Sequence, residues 1–125
     1  LIRINVERTL AILALSSLAL TSIHILIVQG GSLTREEAIE ISRNTPIVQE
    51  ALSKAGGAMS LQADYWNATY IRRLNEEYPN VEEWRNLPED HGAWRIHWRF
   101  AGCVINHYID EFSGKILFED VAYVD

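Results

Sequence analysis

The chain has 125 residues, 48% of them hydrophobic, and carries 11 Lys and Arg against 17 Asp and Glu for a net charge of −6. That is the size of one domain and the wrong sign for a nucleic-acid binder, which needs a basic face to displace phosphate counterions. One cysteine, Cys103, with no CxxC pair and no Gly-rich phosphate loop, gives no support for an internal disulfide, structural zinc, c-type haem or a nucleotide.

The hydrophobic residues are unevenly placed. Residues 10–28 read LAILALSSLALTSIHILIV, with 14 of 19 apolar, and no Lys, Arg, Asp or Glu occurs between Arg8 and Arg35. A helix of that length spans about 28 Å, close to the hydrocarbon thickness of a bilayer. Residues 1–31 are therefore expected to form a transmembrane-type anchor helix, and residues 32–125 a small soluble domain. Arg3 and Arg8 lie before the run and an uncharged Gln-Gly-Gly-Ser-Leu-Thr follows it. The positive-inside rule puts the N-terminus in the cytoplasm and residues 32–125 on the exoplasmic side, at the cell membrane or cell surface. Ser17, Thr21 and His24 fall on one helical face at i, i+4 and i+7, a small polar stripe suited to close helix–helix contact. Divided this way, the part from Gln29 onward has 9 basic and 16 acidic residues, or −7.

In the soluble part, Leu33-Thr34-Arg35-Glu36-Glu37 has the spacing of a capping box, so a helix is expected from Thr34 to about Arg43. Thr45-Pro46 opens a second helix with Thr as N-cap and Pro at the first position, stopped at Gly56-Gly57. Residues 58–66 read as a strand. Asn67 reads as the N-cap of a helix over residues 68–78 with Ile71, Leu74 and Tyr78 on one face. Asn67-Ala68-Thr69 is also an N-glycosylation sequon, meaningful for an exoplasmic domain. Residues 79–92 read as an acidic surface connector in which Trp84 is the large apolar group.

The last third alternates most clearly. Trp94, Ile96, Trp98 and Phe100 interleave with Arg95, His97 and Arg99, predicting a strand with an aromatic face buried and a basic face in water. A turn at Ala101-Gly102, a strand over residues 103–110, a turn around Gly114 and a last strand over residues 116–121 complete an antiparallel meander. The length of the first turn decides which face His107 occupies, and with it whether His97 and His107 share a face. Asp110 is expected to fix the second turn by accepting hydrogen bonds from the amides of Ser113 and Gly114. The fold class is thus α+β, helices packed on an antiparallel sheet of three to four strands behind the hydrophobic helix.

The segment LTREEAIEI, the strand HGAWRIHW and the hairpin CVINHYIDEFSGKIL resemble the PepSY domain. The resembling parts are residues 33–52 and 92–118, with residues 58–90 an elaboration between them. The most characteristic piece runs from Tyr108 to Leu117, where Ser113 stands at a position commonly Thr. The resemblance implies helices on one face of a small antiparallel sheet and a binding or inhibitory role toward peptidases, or a local-environment role at the cell surface, without catalysis.

No catalytic constellation emerges from spacing. Cys103 and His107, four apart on a strand, lie on one face but about 13 Å apart along it, too far for a nucleophile and its base. No catalytic residue, metal ligand or cofactor is assigned. The expected function is a noncatalytic, membrane-anchored accessory or regulatory subunit whose soluble domain binds protein through Arg95, His97 and Arg99. The alternative is a filament or surface-assembly subunit. Type IV pilins are cut just before a hydrophobic N-terminal helix that builds the filament core; this chain begins at Leu1 without an initiator Met, but sets Arg3, Glu7 and Arg8 ahead of its apolar run, whereas pilin helices are apolar almost from residue one with a single acid near the start. In either case the partners are other protein subunits met through the hydrophobic helix, as a hetero-complex or a homo-polymer, together with the membrane.

Overall fold

The computed structural model of the chain describes residues 31–124. The anchor run and its Ser17, Thr21 and His24 stripe lie outside the described residues, and no described helix is long and apolar enough to cross a membrane. The elements are α1 (Arg35–Arg43), α2 (Pro46–Ala55), β1 (Ser60–Trp66), α3 (Ala68–Glu77), α4 (Glu82–Arg85), β2 (Ala93–Arg99), β3 (Cys103–Asp110) and β4 (Ile116–Tyr123). The four strands form one antiparallel sheet in the order β1-β2-β3-β4. The α+β class is as expected, and residues 58–66 supply the fourth strand as β1.

Helices α1, α2 and α3 each start where a side chain accepts from a first free amide. In α1 the capping box closes both ways: Thr34 Oγ1 accepts from the Glu37 amide at 3.1 Å and Glu37 Oε1 accepts from the Thr34 amide at 2.8 Å. Thr45 caps α2 with Pro46 in its first turn, and Asn67 caps α3 through Oδ1, which accepts from the Tyr70 amide at 2.8 Å. Such caps contribute about 1 kcal/mol each. Helix α2 stops at Gly56, whose φ of 73° is the left-handed conformation glycine adopts most easily.

Alternation along the strands creates two faces. Register places Leu61, Trp98, Ile105 and Val121 in one row across the sheet and Ala63, Ile96, His107 and Glu119 in the next. On this face α1 and α2 set Ala38, Ile39 and Val48 against Ile96, Trp98, Phe100, Ile105 and Ile109, forming the main core. The other face carries Trp66, Ala93, Tyr108 and Phe118, which meet Ile71 of α3 and Leu87 from the connector in a second, smaller cluster. Helices therefore cover both faces, not one. The physical reason is Leu87, which is 4% exposed: residues 79–92 contain a helical turn and a buried leucine, so the connector docks on the sheet where a free surface loop was expected. Leu74 of α3 is buried as expected, whereas Tyr78 is 51% exposed.

Topology limits how much of the second face is covered. The chain leaves β1 at Trp66 and enters β2 at Ala93, which are paired neighbours at one end of the sheet. The segment between them folds back over that end, and the half around His97, Arg99 and Asn106 is left without a helix from the described residues.

Candidate functional site

Strand β2 sets Arg95, His97 and Arg99 on the second face, as the alternation predicts, and this open half is the candidate binding surface. Its polar groups are partly tied together. Arg95 Nη1 lies 3.3 Å from Asp64 Oδ2. His97 Nδ1 is 2.7 Å from Asn106 Oδ1, a contact that places the proton on Nδ1, so the Arg95 Nη2 group 3.4 Å away donates nothing to that nitrogen. Arg99 is exposed and forms no salt bridge among the described residues. Beside them lies a recess of about 530 Å³ whose sheet floor includes Arg95, Asn106 and Asp120 and whose helical wall carries Tyr70, Tyr78 and Trp84. Tyr108 donates from its hydroxyl to Glu83 Oε2 at 2.9 Å, and burial, opposed by the Trp84 indole, holds its phenol above the ordinary value.

At the opposite end of the sheet, Asp110 fixes the β3–β4 turn. Its Oδ1 accepts from the amides of Phe112 at 2.9 Å and Ser113 at 2.8 Å. Gly114 donates instead to the Asp110 backbone carbonyl at 3.0 Å, so the expected Gly114 contact is made by the main chain and Phe112 takes its place on the carboxylate. Gly114 has the φ of 71° that the turn requires. Asp110 Oδ2 meets His91 Nε2 at 2.6 Å, while His91 Nδ1 meets Asp90 Oδ1 at 2.7 Å. An imidazole between two carboxylates favours its charged form, and the Asp110 hydrogen bond, opposed by burial, raises the His91 pKa above its ordinary 6.5. Burial pushes the Asp110 carboxyl upward, but the Ser113 amide, His91 and the Phe112 amide outweigh it, leaving its pKa below 3.8. Next door, Glu111 Oε1 accepts from the Tyr65 hydroxyl at 2.9 Å and from the Gly92 amide.

The third polar assembly lies inside the main core. Ser42 Oγ and His107 Nδ1 are 2.6 Å apart, His107 Nε2 and Glu119 Oε2 are 2.7 Å apart, and Trp98 Nε1 donates to Ser42 Oγ at 2.7 Å. With Glu119 accepting, His107 carries its proton on Nε2 and receives the Ser42 hydroxyl at Nδ1. The residue types and spacing are those of a nucleophile, base and acid. The surroundings are not: Ser42 and His107 are 0% exposed, and the serine oxygen already accepts the indole N–H. No reacting carbonyl can approach it, and the set closes on itself as a bridge between α1 and the sheet.

The Phe100 amide donates to the Cys103 carbonyl at 2.8 Å, so Ala101 and Gly102 form a two-residue turn. This register faces His107 into the core opposite Ile96 and leaves His97 on the other face opposite Asn106, so the two histidines never share a site. No group of three His, Cys, Asp or Glu able to hold a metal ion occurs among the described residues. Of the sequence candidates, the structure gathers Arg95, His97 and Arg99 on one strand face and Asp110, Ser113 and Gly114 in one turn. Sequence reasoning missed Ser42. For Ser42 a signal existed: it follows Ala38 by four and Ile39 by three, a hydroxyl on the inner stripe of α1. No family model, curated protein or solved structure matches the chain.

Proposed function

We propose that this chain is a noncatalytic accessory or regulatory subunit, anchored in the membrane by residues 10–28, whose PepSY-like exoplasmic domain binds a protein partner through the open half of its second sheet face. The observation that carries this reading is the half-covered sheet. Paired β-strands with one polar face in water are ordinary, but here helices cover one end of that face, the other end presents Arg99 with no described helix over it, and an aromatic-walled recess lies at the edge where the helices stop. Aromatic and Arg side chains are the types enriched at protein contacts. The buried Ser42, His107 and Glu119 set supports a noncatalytic reading, because its hydroxyl is out of reach of any substrate.

Photo-crosslinking of the full chain in native membranes tests the proposal. A benzophenone side chain at Arg99 is expected to capture an unlike protein, and one at Glu36, exposed on α1, to capture nothing at comparable yield. Equal capture from both positions would overturn the assignment of the face. Capture of another copy of this chain from probes placed at Ser17 or Thr21 would favour the filament reading, in which like helices pack by a repeating screw operation.

A further inference from the structure

We propose that Asn67 is an N-glycosylation acceptor and that the first sugar of its glycan seats in the recess beside it, lined by Tyr65, Trp66 and Tyr70. Asn67-Ala68-Thr69 satisfies the sequon, but a sequon is useful only where the folded domain can carry the product. Here the fold disposes the amide for it. Asn67 Oδ1 is engaged by the Tyr70 amide at 2.8 Å, which fixes which end of the side chain points inward and turns Nδ2 outward. Asn67 and Thr69 are both exposed. Linkage to Nδ2 leaves the carbonyl oxygen unchanged, so capping of α3 and glycosylation are compatible at one residue.

The recess has a volume of about 450 Å³ and is lined by Asn67 and Thr69 themselves together with Asp64, Arg73, Tyr65, Trp66 and Tyr70. Tyr65 is 47% and Tyr70 38% exposed. Tyrosine and tryptophan combine an apolar ring face with a polar tip, and Trp66 and Tyr70, with ring centroids 5.2 Å apart, suit a sugar ring with its C–H face against them and its hydroxyls toward Asp64 and Arg73. In the covalent step an oligosaccharyltransferase uses a polyprenyl-pyrophosphate-linked oligosaccharide as donor. The Asn67 Nδ2 to sugar C1 bond forms, the C1 to phosphate-oxygen bond breaks, the polyprenyl pyrophosphate leaves with the electron pair, and the displaced amide proton passes to an enzyme base.

This inference rests on the exoplasmic placement of residues 32–125, so the experiment separates the two. The full chain, extended after Asp125 by a flexible tag bearing its own sequon, is translated into glycosylation-competent microsomes. Two glycans are expected, with one lost in Asn67→Asp, which keeps a capping carboxylate, and in Thr69→Ala, and restored in Thr69→Ser. A glycan on the tag alone would overturn the Asn67 assignment while leaving the topology standing. No glycan at all would overturn the topology and the assignment with it. For the sugar seat, the glycoprotein is trimmed to its single proximal sugar, and its melting is compared with that of the sugar-free Asn67→Asp variant; both keep an oxygen to cap α3. A higher melting temperature with the single sugar is expected, and equal melting would overturn the seating.

Discussion

Replacing Ser42 with Ala probes the bridge between α1 and the sheet. The substitution removes one oxygen, yet it strands two buried partners: the Trp98 indole N–H, which donates to Ser42 at 2.7 Å, and His107 Nδ1, which lies 2.6 Å away. Both side chains sit where water does not reach, Trp98 at 2% and His107 at 0% exposure. An unsatisfied buried polar group costs about 1–3 kcal/mol, so the pair should cost about 2–6 kcal/mol, a large part of the roughly 5–15 kcal/mol stability of a domain. The assay is urea unfolding of the full chain in detergent micelles, followed by tryptophan fluorescence, with the midpoint shifted and the slope unchanged. A second variant, His107→Leu in the Ser42→Ala background, removes one stranded group and frees Glu119, whose side chain is 45% exposed and rehydrates. The double variant should therefore cost less than the sum of the singles by about 1 kcal/mol or more. A Ser42→Ala loss below about 1 kcal/mol, with additive singles, would refute the bridge as a coupled network.

Three further outcomes follow from the geometry. His91 has a raised pKa, so its contribution is fully present below 6.5 and is lost as pH rises through the raised value; Asp110 has a lowered pKa, so its contribution is present above 3.8 and is lost as pH falls through the lowered value. The turn is thus most stable in the mildly acidic window between them, and in urea midpoints measured against pH the alkaline decline should flatten in His91→Gln. Leu87→Ala should cost about 2–4 kcal/mol by opening the second core, and a loss under about 1 kcal/mol by the same unfolding assay would mean that the connector is not docked. Gly92→Ala should cost about 1–3 kcal/mol, because a Cβ there would stand 2.7 Å from the Trp66 carbonyl oxygen; an unchanged melting temperature by circular dichroism would exclude that close approach.

The parts legible in the sequence are those determined by neighbours along the chain. Thr34 with Glu37, Thr45 with Pro46, and Asn67 with Tyr70 interact three residues apart or less, and their helices begin where spacing places them. Trp94 to Phe100 alternates through a full strand, so both faces of β2 could be assigned. The failures concern contacts whose partners are remote. Ser42 and His107 are 65 positions apart, and their meeting depends on the α1 to sheet packing and on the two-residue turn at Ala101-Gly102. A one-residue difference in that turn would have put His107 on the wet face. Leu87 escapes a sequence reading because one leucine among Pro, Glu, Asp and Asn has no period to betray it, although burial of such a lone side chain is worth about 1.5–3 kcal/mol. The His91 contact with Asp110 spans 19 residues and shows in the sequence only as an Asp-His pair before a glycine.

On the proposed reading the two ends of the sheet have different duties, and the chain path gives the reason. The Leu33 amide donates to the Glu111 carbonyl at 2.7 Å, and the Leu33 carbonyl accepts from Trp94 Nε1 at 3.1 Å. The described chain therefore joins the sheet at the end where Gly92, Glu111 and the Asp110 turn lie, and that is the end the α3–α4 segment covers. Arg99 closes the other end of β2, six residues and about 20 Å from Ala93 at strand rise. On the proposed reading, a chain arriving from residues 10–28 enters at the covered end and holds the open face away from its point of entry. A contact made by the anchor and a contact made by Arg99 are then two separate surfaces on one chain. Neither needs to be strong: once one is made, the other forms at the effective concentration set by a rigid domain instead of the bulk concentration. The anchor and the half-open sheet together then supply an affinity that neither has separately.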